Sequence, residues 1–468
     1  MPGTWMDITG GGDQRPSQGG SGPRDDAPKS NALADRITEW PQGGDDERAR
    51  SQLAELEQEA TGREDLAQLA SLLSQDRVRN LLAGIFAGSP YLKSLIVRDG
   101  VRLQRLLAEA PEERFMKLLA TLNETMASLG TIAEVMRAVR VFKSEVALLT
   151  ALADLGGVWP VMTVTGVLTA SADATLDASV GFLFRQAQAK GDWIDAAPDA
   201  AVRSGYIVLA MGKHGAGELN YSSDIDIIVF YDLARVRLRE GLEPQAFFVR
   251  MTRDLVKIMQ ERTADGYVFR VDLRLRPDPG ATQVALSTDA AMHYYESFGQ
   301  NWERAALIKA RPAAGDRSAG IALLAELKPF VWRKHLDFAA IEDIHAMKRQ
   351  IHAFRGIGGI GVAGNNVKLG RGGIREIEFF TQTQQLIAGG RQRELRVRQT
   401  LLALQALVER GWIREGVRAD LERAYLYLRR IEHRIQMVAD EQTHSLPEAP
   451  EALEAFSRFA GYQDLAAF

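Results

Sequence analysis

The chain has 468 residues, 46% of them hydrophobic and 25% charged, with a formal net charge of −4 and no cysteine. That length can bury two or three cores, and the missing cysteines exclude disulfides and thiolate-bound metals, which is compatible with a cytoplasmic setting. The slightly acidic balance provides no global field for nucleic acid or an anionic membrane, so a protein partner or a small phosphate ligand is the easier fit.

Residues 1–49 are heavy in Gly, Pro, Asp, Ser and Gln and are expected to be a disordered tail, because they hold too little apolar surface to offset ordering entropy. The opening MPGTWMDITGGGDQ lacks a basic segment followed by an apolar one, so no secretory leader is expected. No apolar run approaches 18 residues, and no membrane span is expected either. Residues 50–190 repeat apolar positions at three and four, as in Leu103, Leu106 and Leu107, then Leu118, Leu119 and Leu122, which predicts a helical leader region.

Residues 191–335 read as the catalytic core. Tyr206 to Met211 and Ile225 to Tyr231 are apolar, β-branched runs that predict two buried strands around a glycine-rich turn. A helix is predicted from Pro244 to Thr263, then a third strand from Tyr267 to Arg276. Residues 336–468 are predicted to be helical, with long helices over Ala339 to Phe354 and Gln399 to Glu441, interrupted by a loop from Gly356 to Gly373. The fold class expected is α+β: a mixed sheet flanked by large all-helical regions on both sides in sequence.

The most informative segment is the turn between the first two strands, Gly212-Lys213-His214-Gly215-Ala216-Gly217, which leads through Ser222 and Ser223 to Asp224 and Asp226. Side chains alternate along a strand, so Asp224 and Asp226 face one way with Cα atoms about 6.6 Å apart. Two carboxylates so placed suit Mg²⁺, which takes one or two carboxylates plus substrate phosphates. In the third predicted strand Phe269, Val271, Leu273 and Leu275 line one face and Arg270, Asp272, Arg274 and Arg276 the other. Alone this is equally well a solvated edge. Beside the Asp pair it supplies a third carboxylate, with cations for a phosphate next to a metal.

The glycine turn is neither GxxxxGK[ST] nor GxGxxG. Its amides, with Ser222 and Ser223 as extra donors, are candidates to cradle a triphosphate or phosphate. Lys213, Arg274, Arg276 and Lys309 are candidate phosphate partners, each read equally well as one half of a surface ion pair. Trp302, at helical spacing from Ala306 and Lys309, reads as core rather than as a stacking platform for a base. His345 and His352 lie seven apart, too far along a helix to share a zinc ion, and solvated or capping roles are expected for the histidines. Arg371, Arg375, Glu376 and Glu378 read as a charged network bracing the loop before them.

The patterns GKxGxxELNxxSDxD and VDxRLRP resemble those of the bacterial glutamine synthetase adenylyltransferase and adenylyl-removing enzyme family. Further likeness lies in Tyr294-Tyr295-Glu296, Asn301-Trp302-Glu303-Arg304, Ile308-Lys309-Ala310-Arg311, Leu336-Asp337-Phe338 and Asn366 to Phe379, and it extends from about Leu66 to the end of the chain. Family members carry two nucleotidyltransferase domains in tandem; the N-terminal copy removes AMP from a tyrosine of glutamine synthetase by phosphorolysis, releasing ADP, and the C-terminal copy attaches it. This chain has one copy, and its flanks resemble those of the first. The resemblance therefore implies a deadenylylating enzyme acting with Mg²⁺ on glutamine synthetase, with phosphate and ADP or ATP as small ligands and the PII signalling protein as a further partner. Asp224, Asp226 and Asp272 are the implied metal ligands and catalytic residues.

Two departures accompany it. His214 stands where the family more often has Leu, and the chain stops at Phe468 inside a stretch that the family continues, so a fragment or early stop, without attachment activity, is expected. Three other readings stay open: a nucleic-acid nucleotidyltransferase, disfavoured by the charge; a non-catalytic module that binds glutamine synthetase or PII; and a domain that attaches AMP from ATP.

Overall fold

In a computed structural model, residues 31–43, 46–333 and 361–468 are described. The expected tail departs from its prediction where it is described. Leu33–Arg36 forms a helical turn with Leu33 and Ala34 fully buried, Leu33 N donates to Glu109 O at 2.9 Å, and Asp35 pairs with Arg77 at 2.6 Å. A local apolar cluster of Leu33, Ala34 and Ile37 supplies the burial that the composition of the whole segment conceals. The first thirty residues of that predicted tail lie outside the described residues.

The leader region is helical as expected. Two of its helices reach the core: α1, Ile132–Leu155, which starts in a Thr131/Glu134 capping box, and α2, Val161–Ala189. By length and hydropathy α2 could cross a membrane, but 67% of its most apolar window is buried inside the protein. Arg140 of α1 is wholly buried and donates to the carbonyls of Met136, Ile258, Glu261 and Gly266, tying α1 to the chain that leads into the third strand.

The sheet comprises β1 (Tyr206–Ala210), β2 (Ile225–Tyr231), β3 (Val271–Asp272), β4 (Ala285–Ser287) and β5 (Arg311–Gly315). Its order is β3-β2-β1-β5, with β4 also paired to β2. β1 runs antiparallel to β2 and β5, and β2 is parallel to β3 and β4. Both faces of β1 and β2 are covered, which explains why their sequences are apolar throughout except at Asp226. Tyr206, Val208, Ala210, Ile227 and Val229 face the large core shared with α1, α2 and helix α4, Pro244–Gln260. Ile207, Leu209, Ile228 and Phe230 face a smaller cluster with Tyr295, Leu307 and Leu323.

The third strand is far shorter than predicted. Only Val271–Asp272 pairs with β2. The carboxylate of Asp272 accepts from Arg274 N at 2.8 Å, turning the chain, and Arg276 donates to the carbonyls of Leu273, Pro279 and Thr282. These local bonds replace a ladder beyond Asp272. Trp302, expected in the core, is 40% exposed.

After the core come α5 (Ile374–Ala388), α6 (Thr400–Glu409) and α7 (Glu415–Ala439). Gly411, at φ +73°, lies in the turn between α6 and α7. The helix predicted over Ala339 to Phe354, with His345 and His352, lies outside the described residues.

Candidate active site

Asp224 ends the loop before β2, Asp226 is the second residue of β2, and Asp272 is its register partner in β3. Two backbone bonds fix them: Ile225 N donates to Arg270 O and Met211 N to Asp226 O, both at 2.8 Å. Each of the three carboxylates offers an oxygen, and these oxygens all lie within 4.8 Å of one another. Oxygens on opposite sides of one octahedral Mg²⁺ are about 4.2 Å apart. The trio is therefore close enough to share a divalent ion after small side-chain adjustments.

The charge balance also favours a cation. Burial first, then Asp224 and Asp272, push the Asp226 carboxyl up to about 7, against a pull from Lys368 and Arg375. At Asp272 burial pushes up as well, but hydrogen bonds and charge from Arg274 outweigh it and hold the group below the ordinary range. Arg274 Nη2 lies 2.5 Å from Asp272 Oδ2 and Nε 2.9 Å from the same oxygen, while the side chain remains 82% exposed. It is thus a cation beside the trio with most of its guanidinium in water.

The glycine turn forms one helical turn, α3, Gly212–Ala216. At Gly212, φ is +53° and an added Cβ would lie 2.4 Å from Asp226 Oδ2, so the backbone runs against the carboxylate. At Gly215 an added Cβ would meet Lys309 O at 2.2 Å. Gly217 ends the turn at φ +78°. The amides of Gly215, Gly217 and Glu218 donate to the carbonyls of Met211, His214 and Lys213, which leaves the first amides of the turn as those placed to meet an anion.

The remaining cations predicted for phosphate are placed elsewhere. Lys213 Nζ lies 3.0 Å from the fully buried Glu432 of α7. Burial pulls Lys213 down to about 8, which leaves it charged at neutrality. Burial pushes Glu432 up, but Lys213, His444 and Arg429 outweigh it and hold the carboxyl well below its ordinary range. Lys309 sits between Glu218 at 3.6 Å and Glu378 at 3.5 Å, all three buried. Burial likewise pushes Glu378 up, yet Lys309, Lys213 and Arg375 bring it to about 2. Arg276 is spent on its own loop. Ser222 is closed off as well, since its amide donates to Gln436 Oε1 at 2.8 Å and its Oγ accepts from Arg270 at 3.1 Å. Ser223 is nearly buried beside Asp224.

Of the predicted loop network, Glu376 accepts from Gly372 N at 2.9 Å and Glu378 pairs with Arg375 at 3.8 Å, while also reaching inward to Lys309. His214 is neither solvated nor capping. Its Nε2 lies 2.7 Å from Asp173, whose carboxylate also takes both Nη atoms of Arg311 at 2.7 and 3.0 Å. Burial pulls the His214 ring down, against the pull of Asp173. Lys368 had not been singled out from the sequence, although it acts on Asp226; its place in the same run as Arg371 and Arg375 was the available signal.

A mixed sheet carrying a glycine turn and three convergent carboxylates has the form of a nucleotidyltransferase-type core. Residues 79–326, more than half of the chain, match the family model for glutamate-ammonia ligase adenylyltransferase, and residues 345–467 match that for GlnD PII-uridylyltransferase. The chain belongs to the glutamate-ammonia ligase adenylyltransferase family. Among curated relatives, a bifunctional glutamine synthetase adenylyltransferase/adenylyl-removing enzyme of Bradyrhizobium diazoefficiens is 56% identical, over 93% of this chain and 44% of its own length. Proteins of the same name from Rhodopseudomonas palustris and Xanthobacter autotrophicus are 58% and 54% identical, over 83% and 93% of this chain and 39% and 44% of their own lengths. The chain thus spans less than half the length of these relatives.

Proposed function

We propose that this chain removes AMP from adenylylated glutamine synthetase by Mg²⁺-dependent phosphorolysis. A phosphate oxygen attacks the adenylyl phosphorus, the bond from phosphorus to the tyrosine oxygen breaks, ADP leaves, and the tyrosinate takes up a proton. The observation that carries this reading is the convergence of Asp224, Asp226 and Asp272, with Asp226 pushed up to about 7 by burial and by the other two carboxylates. Mg²⁺ held by these three groups would neutralise charge on the phosphate of the adenylyl group as it passes from tyrosine to inorganic phosphate.

The chain's own groups do the rest. Arg274, exposed at the rim beside Asp272, offers the water-facing part of its planar fork to the incoming phosphate. Lys368 and Arg375 add positive charge across the site, and the leading amides of α3 meet the adenylyl phosphate. Lys213 and Lys309 serve as buried braces. The match to a PII-uridylyltransferase family model over residues 345–467 supports a PII-type protein as regulatory partner. The same carboxylates could serve AMP attachment from ATP, and the relatives' name covers both reactions.

Incubation with adenylylated glutamine synthetase, Mg²⁺ and phosphate should release ADP, and Asp224→Asn should abolish it. Attachment would instead appear as AMP transferred from ATP to unmodified synthetase. If neither product forms, the enzymatic reading gives way to a binding role.

A further inference from the structure

Helix α7 lies outside the 79–326 family match, yet one of its faces touches every segment that carries the acidic trio. Arg429, Glu432, Gln436 and Asp440 follow one another at spacings of three and four, which puts them on one stripe of the helix and its cap. Arg429 donates to Glu218 O at 2.7 Å and to Asn220 Oδ1 at 2.6 Å, gripping the loop after the glycine turn. Glu432 holds Lys213 at 3.0 Å, within that turn.

Gln436 Oε1 accepts from Ser222 N at 2.8 Å, two residues before Asp224. The carbonyl of Asp440 accepts from Tyr267 OH at 3.4 Å; that hydroxyl accepts from Arg270 at 2.5 Å, and Arg270 donates onward to Ser222 O. Arg270 stands two residues before Asp272. The loop of Asp224 and the strand of Asp272 are thereby braced against the same end of one helix. Arg429, Glu432 and Gln436 are fully buried, so these bonds run through a water-poor interior where their geometry is held tightly.

We infer that α7 is the positioning element of the acidic site, with Gln436 and Glu432 as positioning residues that set the separation of Asp224 from Asp272. The helix belongs to the region beyond the catalytic sheet, so its placement sets metal affinity. This rests on the metal reading above. Outer partners that orient metal ligands commonly affect affinity by about 10–100-fold.

The test uses Mn²⁺ binding by calorimetry, hydrogen exchange of segment 218–226 and thermal midpoints on the whole chain. Gln436→Met keeps length and helix propensity but removes the acceptor. Gln436→Glu, measured at pH 6 where burial keeps the new carboxyl protonated and neutral, keeps the acceptor and replaces an Nε2 that has no partner. The methionine variant should bind Mn²⁺ about tenfold more weakly and exchange faster over 218–226, with a midpoint within a few degrees of the parent. The glutamate variant should restore both readouts. Parental affinity and exchange in Gln436→Met would overturn the inference, as would equal losses in the two variants. If Gln436→Met proves unfolded, parental exchange and affinity in Gln436→Glu support the inference and their loss overturns it. A parent that binds no Mn²⁺ sinks the metal reading instead, and exchange over 218–226 then decides the positioning alone.

Discussion

Neutralising Asp226 should stabilise the folded chain while destroying its site. The ordinary carboxyl value of 3.8 is raised to about 7 in the fold, by burial and by two facing carboxylates. An unfolded chain ionises this group near 3.8, whereas the folded chain keeps its proton until about 7. The penalty on folding is therefore absent below about pH 4, grows through the interval, and is complete above 7. At about 1.4 kcal/mol for each pH unit of that interval, the bound at pH 8 is about 4 kcal/mol. Water at the open edge of the site screens part of it, leaving about 1–3 kcal/mol. Asp226→Asn escapes this cost, and its amide can donate to Asp224 or Asp272. In EDTA at pH 8 its thermal midpoint should exceed the parent's by a few degrees, with a smaller gain at pH 5. Saturating Mg²⁺ should reverse the order, because only the parent gains binding energy, about 2.7 kcal/mol at a hundred times Kd. A variant less stable than the parent at pH 8 without metal, or one whose advantage does not shrink at pH 5, would refute the reasoning.

Gly212→Ala should abolish the midpoint rise on adding Mg²⁺, because its Cβ falls 2.4 Å from Asp226 Oδ2 at a φ of +53°; Gly217→Ala, strained only in φ, should cost about 1 kcal/mol and keep the Mg²⁺ response. Glu432→Gln should cost about 3 kcal/mol in urea unfolding because it strands the buried Lys213, Lys213→Met should cost less because His444 and Arg429 still pair Glu432, and the double variant should cost clearly less than the sum. Arg274→Ala should leave the midpoint within a degree or two, as an exposed ion pair contributes about 0–1 kcal/mol, while raising KM for phosphate about tenfold in the ADP-release assay. An unchanged KM would remove Arg274 from the phosphate site.

Where function could be read from the sequence depended on whether it was carried by local spacing. Asp224 and Asp226 share a face because strands alternate, and the pairing of β2 with β3 follows from a helix-length crossover, so the trio was visible in the alternation of residues 267–276. The length of that strand was not. Alternation describes an isolated segment, and it cannot register that the Asp272 carboxylate and the Arg276 guanidinium are satisfied by backbone groups within the next ten residues, which ends pairing after Asp272.

The charges of Lys213 and Lys309 illustrate a second limit. A lysine beside a glycine turn suggests phosphate, and only the tertiary fold reveals a buried glutamate more than two hundred residues away that claims the first of them. A buried carboxylate cannot be left unpaired without a cost of several kcal/mol, so Glu432 and Glu378 take the nearest cations that reach the interior. The exposed Arg274 is left facing the rim. Which cations brace is thus set from two sides, by Glu432 of α7 at Lys213 and by Glu378 of α5 with Glu218 at Lys309. A displacement of α7 would act on the trio through geometry, by way of the bonds from Gln436 to Ser222 and from Asp440 through Tyr267 to Arg270.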